Sequence, residues 1–285
     1  MHDARHAQLG VLAALAGLGL SALDFEVTGA AAAVTLASAL ATQFALSRLA
    51  GERFDPRSAL ISGLSLVLLL RSDALGWHAL AAALAIGSKF ALRVRGKHFM
   101  NPTNFALAAL LVATDRVWVS SGQWGNGPLL AAALVAGACW VLPRARGDVT
   151  LAFLGAWCAL LFGRALWLGD PLAIPLHQLE SGALLLFAAF MISDPRSLPN
   201  ARAGRIAFAL AVAGVAYWLR FRFFEPNALV FALAAVSPLT PLLDRALPGA
   251  RFAWNDKPPT RSEERHVEDS PARGSAHVGA AVAHS

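Results

Sequence analysis

Two short stretches hold most of the chemistry this sequence could do: KHFMNPTNF at 97–105 and RFFEPNALVF at 222–231. Each sets a basic residue, Lys97 or Arg222, a few positions before an Asn-Pro or Glu-Pro pair. Each then continues to an asparagine, Asn104 or Asn227. Proline has no N–H and pushes the residue before it out of helical geometry. Asn101 and Glu225 are therefore the residues expected to leave the helix, with side chains and freed carbonyls available to line a cavity. A helix starting after the proline would aim backbone N–H groups and a positive dipole end at that cavity. This chemistry suits an anionic ligand or a small ion. Asp194, in MISDPRS, joins the set as an ionisable group beside an apolar run. A plainer reading stands beside the first: Asn, Asp and Glu are common helix caps. For Asn101 and Glu225 the two readings weigh equally; for Asp73 and Asp194, next to basic loops, capping leads.

The elements that must position these residues are apolar. Of 285 residues, 56% are hydrophobic and only 15% charged, against about a quarter charged in a soluble domain. Mean hydropathy is +0.54. Hydropathy gives about ten spans, near 9–23, 28–46, 58–70, 74–91, 105–119, 128–142, 149–168, 179–193, 206–219 and 227–243. Several are short for a bilayer, which points to broken or shielded helices. The expected fold is an all-α integral membrane protein, with a bundle over 1–245 and halves at about 1–120 and 121–245. The stretch 246–285, rich in Pro, Ser and mixed charge, is expected to be a disordered cytoplasmic tail. The apolar run from Leu9 is read as a retained first helix rather than a cleaved signal.

Loop charges orient the chain. With the N-terminus inside, the alternate loops carry eleven Lys and Arg inside (Arg48, Lys97 and Arg205 among them) against five outside: Arg71, Arg116, Arg164, Arg220 and Arg222. The expectation is a bacterial inner-membrane protein with both termini in the cytoplasm. The net charge of +6 is spread over short loops, so no nucleic-acid partner is expected. Cys139 and Cys158 lie in apolar spans and His98 stands alone, so no metal site is expected. Lys89 and Lys97 read as interfacial anchors or as partners of a ligand anion.

The motifs repeat. SGLSLVLLLRSD at 62–73 matches SGALLLFAAFMISD at 181–194, and FMNPTNFALAAL at 99–110 matches FFEPNALVFALAAV at 223–236, in the same order. Five spans per half is an odd number, so the halves would insert in opposite senses. Inverted repeats of this kind place sites near the midplane, between discontinuous helices. On that basis Asn101 and Glu225 are expected to share one cavity and to respond non-additively to mutation.

These passages resemble a known family, NqrB/RnfD, whose members are membrane subunits of the sodium-pumping NADH:quinone oxidoreductase and of the Rnf electron transport complex. DPRSALISGLSLVLLL, FMNPTNFALAALLVA, LESGALLLFAAFMISDPRS and FFEPNALVFALAAVSPLTPLLDR carry the likeness, over roughly 55–245. The chain looks closest to a shortened, divergent branch found in enediyne-type gene clusters. The resemblance implies ten helices in an inverted repeat, flavin in or beside the bundle, and electron transfer coupled to ion movement. Family members attach FMN to a threonine in a Ser-Gly-Ala-Thr passage. Between 117 and 178 this chain has only Thr150, in GDVTLAF, so a covalent FMN-threonine is not expected. The resemblance then implies a membrane subunit binding FMN, riboflavin or a quinone-like ligand non-covalently. Without a dinucleotide fingerprint or cluster cysteines it would be no enzyme alone and would need redox partner subunits as well as the bilayer. The alternative is a channel or secondary transporter built on the same inverted repeat.

Overall fold

The computed structural model describes residues 4–22, 27–119 and 147–252. The expected span at 128–142, the loop at 120–127 and the tail from 253 onward lie outside the described residues. Helices α1 (Ala4–Ala22), α2 (Gly29–Leu49), α3 (Pro56–Leu69), α4 (Leu75–Ala91) and α5 (Pro102–Ala113) come first. From residue 147 the chain forms α6 (Gly147–Leu168), α7 (Ala173–Leu179) and α8 (Gly182–Leu186), which runs on into a π-helical turn at Phe187–Met191. Then come α9 (Arg202–Arg222), α10 (Ala228–Val236) and, after a 3₁₀ turn, α11 (Thr240–Ala246).

Four stretches are long and apolar enough to cross a membrane: Gly29–Leu49, Gly147–Leu168, Arg202–Arg222 and Ala228–Ala246. The pair Ala173–Leu179 and Gly182–Met191, bent by 52°, makes a fifth if it counts as one span. α3 and α5 are shorter apolar helices. Apolar side chains such as Leu151 (72% exposed) and Trp167 (87%) stand on the outside, where water would penalise them and lipid tails would not. The chain is a mostly helical, multi-pass membrane protein.

Local sequence sets the helix starts. Thr28 accepts from the Ala31 N–H at 3.1 Å, Asp55 from the Arg57 N–H at 3.2 Å and Asn101 from the Asn104 N–H at 2.9 Å. In the last two a proline takes the first helical position, where its missing N–H costs nothing. The Asn-Pro motif thus opens a helix. α2 packs on α3 and α4, α1 on α3, and α4 on α5; α9 packs on α6 and α10, and α10 meets α5. Gly63 lets α3 approach α2, since a Cβ there would stand 3.0 Å from a Leu36 methyl.

The structure departs from the sequence reading in three places. The span expected to reach 119 ends at Ala113, and Val117–Val119 (β4) instead pairs antiparallel with Leu70–Ser72 (β1). A second pair, Arg93–Val94 (β2) with Lys97–His98 (β3), closes through Arg95 and Gly96. Both turn residues have positive φ, 52° and 75°, as a two-residue hairpin turn requires. Arg71, a loop cation by its sequence position, is 1% exposed. Its guanidinium donates to the carbonyls of Val67 (3.1 Å) and Leu70 (2.8 Å), satisfying the orphan acceptors at the end of α3. Near the same hairpin, Arg251 Nη2 donates to the Arg95 carbonyl at 2.7 Å.

Candidate functional site

The six residues singled out by sequence fall into three places. The first is the bundle interior, where α5 begins. Asn101 is extended (φ −62°, ψ 124°), as a residue before proline should be. Its Oδ1 caps α5, and its Nδ2 donates to the Met191 carbonyl at 3.1 Å. One turn on, Asn104 Nδ2 donates to the Val230 carbonyl of α10 at 3.1 Å. Both side chains are buried, at 7% and 1% exposure, and Asn104 Oδ1 has no hydrogen-bond partner among the described residues. Thr150 Oγ1 donates to the Ala188 carbonyl at 2.7 Å. A π turn displaces carbonyls from the regular ladder, and side chains from α5 and α6 take up two of those in Phe187–Met191. The chemistry here is stitching: two amides and a hydroxyl tie α5, α6, α10 and the wide turn together.

The second place is the end of the bundle that carries the β2–β3 hairpin. Lys97 Nζ donates to the Leu198 carbonyl (2.5 Å), Asn200 Oδ1 (3.1 Å) and Asp244 Oδ2 (2.7 Å). Asp194 accepts from the Arg196 N–H at 3.2 Å and lies 3.8 Å from His98 Nε2. Burial pushes the Asp194 carboxyl up, but the neighbouring His98 imidazole and Arg196 outweigh it and hold the carboxyl below its usual range. Asp194 closes the turn after the π segment through the Arg196 N–H.

The third place is a cavity of about 670 Å³ at the other end of α9, lined in part by Trp157, Arg164, His177, Gln178, Arg220, Phe221, Phe224 and Glu225. Its volume lies in the range of small-molecule and cofactor sites, about 300–1,000 Å³. Glu225 Oε1 accepts from the Asn227 N–H at 2.9 Å, closing the turn before α10. Phe224 holds a positive φ of 55°, an uncommon state for a bulky residue and one often found at functional sites. The Arg164 guanidinium lies 4.6 Å from the Phe221 ring centroid. Arg220 has no ion-pair partner among the described residues, and Gln178 Oε1 is a buried acceptor without a hydrogen bond among them.

Among the described residues, Asn101 and Glu225 therefore line no common cavity. Asn101 spends both ends of its amide on backbone groups, while Glu225 lines a pocket whose wall does not include Asn101. The basic residue that the sequence sets before the Glu-Pro pair is Arg222, but Arg220 lines the pocket, and Arg222 lies over Phe223 at 6.0 Å. Arg164 and Arg220 read as loop charges in the sequence. Arg164 lies inside α6 and Arg220 in the last turn of α9, and an ionisable side chain on an apolar helix is itself a signal of a site.

Comparison with known proteins finds relatives of part of the chain. The D subunit of the ion-translocating oxidoreductase complex of Stutzerimonas stutzeri is 39% identical over 70 residues, covering 25% of this chain and 20% of that protein. The corresponding protein of Escherichia coli strain K12 is 36% identical over 129 residues, 43% of this chain and 34% of that protein. The matched stretch thus spans about a third or less of these relatives' length. The model of the NQR2, RnfD, RnfE family matches residues 117–253. The family that the sequence motifs resemble is the family that this half of the chain matches: NQR2, RnfD, RnfE.

Proposed function

We propose that the protein is a membrane subunit of a redox-driven electron transport complex, holding a flavin or quinone-like ligand without a covalent bond in the cavity beside Glu225. The observation that carries this reading is the cavity itself: about 670 Å³, walled by Trp157, Phe221 and Phe224. Arg220, without an ion-pair partner among the described residues, suits a phosphate or a reduced, anionic ring. The orphaned Gln178 Oε1 suits an imide N–H of the kind an isoalloxazine offers. A bound flavin would supply one- and two-electron chemistry; the protein's part is to hold the ring between aromatic faces and to place a cation beside developing negative charge. The relatives are named as subunits of an ion-translocating oxidoreductase complex, which supports partner subunits and coupling to ion movement here. The packing of α5 on α10, the helices that start after the two proline motifs, supports an inverted repeat. Thr150, 2% exposed and donating to Ala188, supports non-covalent binding.

The test is titration of the purified protein with FMN and with riboflavin, read by quenching of flavin fluorescence. FMN is expected to bind, and Arg220→Gln to weaken it about tenfold through loss of a charge-assisted contact, with riboflavin, which lacks the phosphate, unaffected. Denatured protein on a gel should carry no flavin fluorescence. A protein that binds neither flavin nor quinone, yet supports solute flux in liposomes, would replace this reading with the transporter one.

The proposed membrane is the bacterial inner membrane, with both termini cytoplasmic. Reporter fusions after Asp244 and within 120–127 are expected to report opposite sides; both on one side would overturn the topology.

A further inference from the structure

α9 links the cavity beside Glu225 to a second, chemically different one: Arg220 lies in its last turn, and Asn200 just precedes its first. This smaller cavity, about 130 Å³, is lined by Arg95, Lys97, Thr240, Asp244, Arg245 and Arg251 among others. Four cations face one carboxylate, and that carboxylate is already engaged. Asp244 takes Lys97 Nζ at 2.7 Å on one oxygen and the Asn200 N–H at 2.7 Å on the other. Arg95 and Arg245 have no ion-pair partner among the described residues. Arg251 donates to the Arg95 backbone carbonyl at 2.7 Å. Thr240 is 0% exposed, and its hydroxyl has no hydrogen-bond partner among the described residues. A buried hydroxyl is rarely left unpaired without a reason, and a cluster of guanidinium groups without a counter-charge is stabilised by an anion.

We propose that this cavity binds the phosphate of an anionic phospholipid head group. A phosphate diester carries the negative charge and the acceptor oxygens that two guanidinium groups and a hydroxyl can satisfy together. Free inorganic phosphate shares that chemistry, and the surroundings favour the lipid. Leu239 and Leu242, 42% and 58% exposed, flank Thr240 and Arg245 on the same short run of chain. They offer acyl chains an apolar surface that a free ion has no use for. Basic pockets between helices on the positively charged side of a membrane protein are suited to such head groups. The proposal is independent of the flavin reading, since the two cavities share no lining residue among those described.

The experiment is native mass spectrometry of the full chain in detergent, with phosphatidylglycerol and phosphatidylcholine of matched acyl chains added in parallel. The wild-type protein is expected to retain phosphatidylglycerol in preference. Arg95→Gln/Arg245→Gln, two exposed positions whose change leaves the core alone, is expected to lower that retention about 25-fold, at roughly fivefold for each charge. Thr240→Val, which keeps the side chain's shape, is expected to lower it about fivefold. Arg48→Gln/Arg53→Gln removes two charges from the last turn of α2 and the loop after it, which the Glu52–Arg93 pair ties to the same end, and is expected to change nothing. Displacement of the lipid by millimolar inorganic phosphate would support the phosphate contact. Equal retention of the two lipids, or the same loss in the loop control, would overturn the site. Phosphate binding without lipid binding would overturn the lipid assignment.

Discussion

Arg205→Ala is expected to cost about 3 kcal/mol of stability, the scale for removing one partner from a largely buried ion pair. Arg205 Nε lies 3.0 and 2.9 Å from the two Asp148 oxygens, Nη2 also donates to Oδ2, and Nη1 donates to the Asn200 carbonyl at 2.6 Å. The side chains are 13% and 18% exposed. The pair joins the first turns of α6 and α9, and Asp148 also sits where a negative charge complements the helix dipole. Alanine would leave the Asp148 carboxylate without its cation, with only the Val149 N–H still donating to it, and the Asn200 carbonyl without the Arg205 donor. Arg205→Lys keeps the charge but loses the fork and should fall between. Thermal unfolding in detergent, monitored by tryptophan fluorescence, reads the effect. Arg202→Ala, three residues away and exposed, is the control. Equal midpoints for the two variants would show that the pair contributes nothing. Adding Asp148→Asn to Arg205→Ala should recover part of the loss, because the two residues act as one unit.

Asn101→Leu is expected to cost about 3 kcal/mol as well, by a different route. It removes a helix cap, worth about 1 kcal/mol, and takes from the buried Met191 carbonyl its shorter hydrogen bond, at about 1–2 kcal/mol, leaving it only the Asp194 N–H at 3.5 Å. Glu225→Gln, at the rim of the large cavity, should leave the unfolding midpoint near wild type while altering flavin binding. The double variant should show both effects, undiminished and unamplified, because the two side chains share no partner. This replaces the coupling expected from sequence. Measured midpoints and FMN dissociation constants for the two singles and the double decide it: coupling in both quantities would restore a single shared cavity.

Helix positions were legible because apolar runs and proline starts are local properties. Asp55-Pro56 and Asn101-Pro102 each open a helix, and the residues needed to see this are adjacent. Arg71 was not legible. Hydropathy counts it as a cation seeking water, whereas its long side chain folds back on the carbonyls of its own helix. The role of Asn101 depends on Met191, ninety positions away, and no local pattern states which carbonyl will be waiting there. The large cavity was half legible. Glu225 announced itself through the repeated proline motif, but Arg164 and Arg220 fitted the alternation of loop charges so well that nothing local marked them as site residues. The strand pairs were missed because two- and three-residue ladders lie below the reach of any periodicity.

The wide turn at Phe187–Met191 has a consequence for the angular phase of everything beyond it. Each helical residue advances about 100° around the axis, so one surplus residue rotates the rest of the segment by that amount relative to an unbroken helix. Shortening the turn by one alanine, Ala188 or Ala189, would restore the ordinary ladder and swing Ser193 and Asp194 about a quarter-turn away from His98. The slack is thus a dial, set by one residue's worth of chain, that fixes which way the acidic end of this segment points.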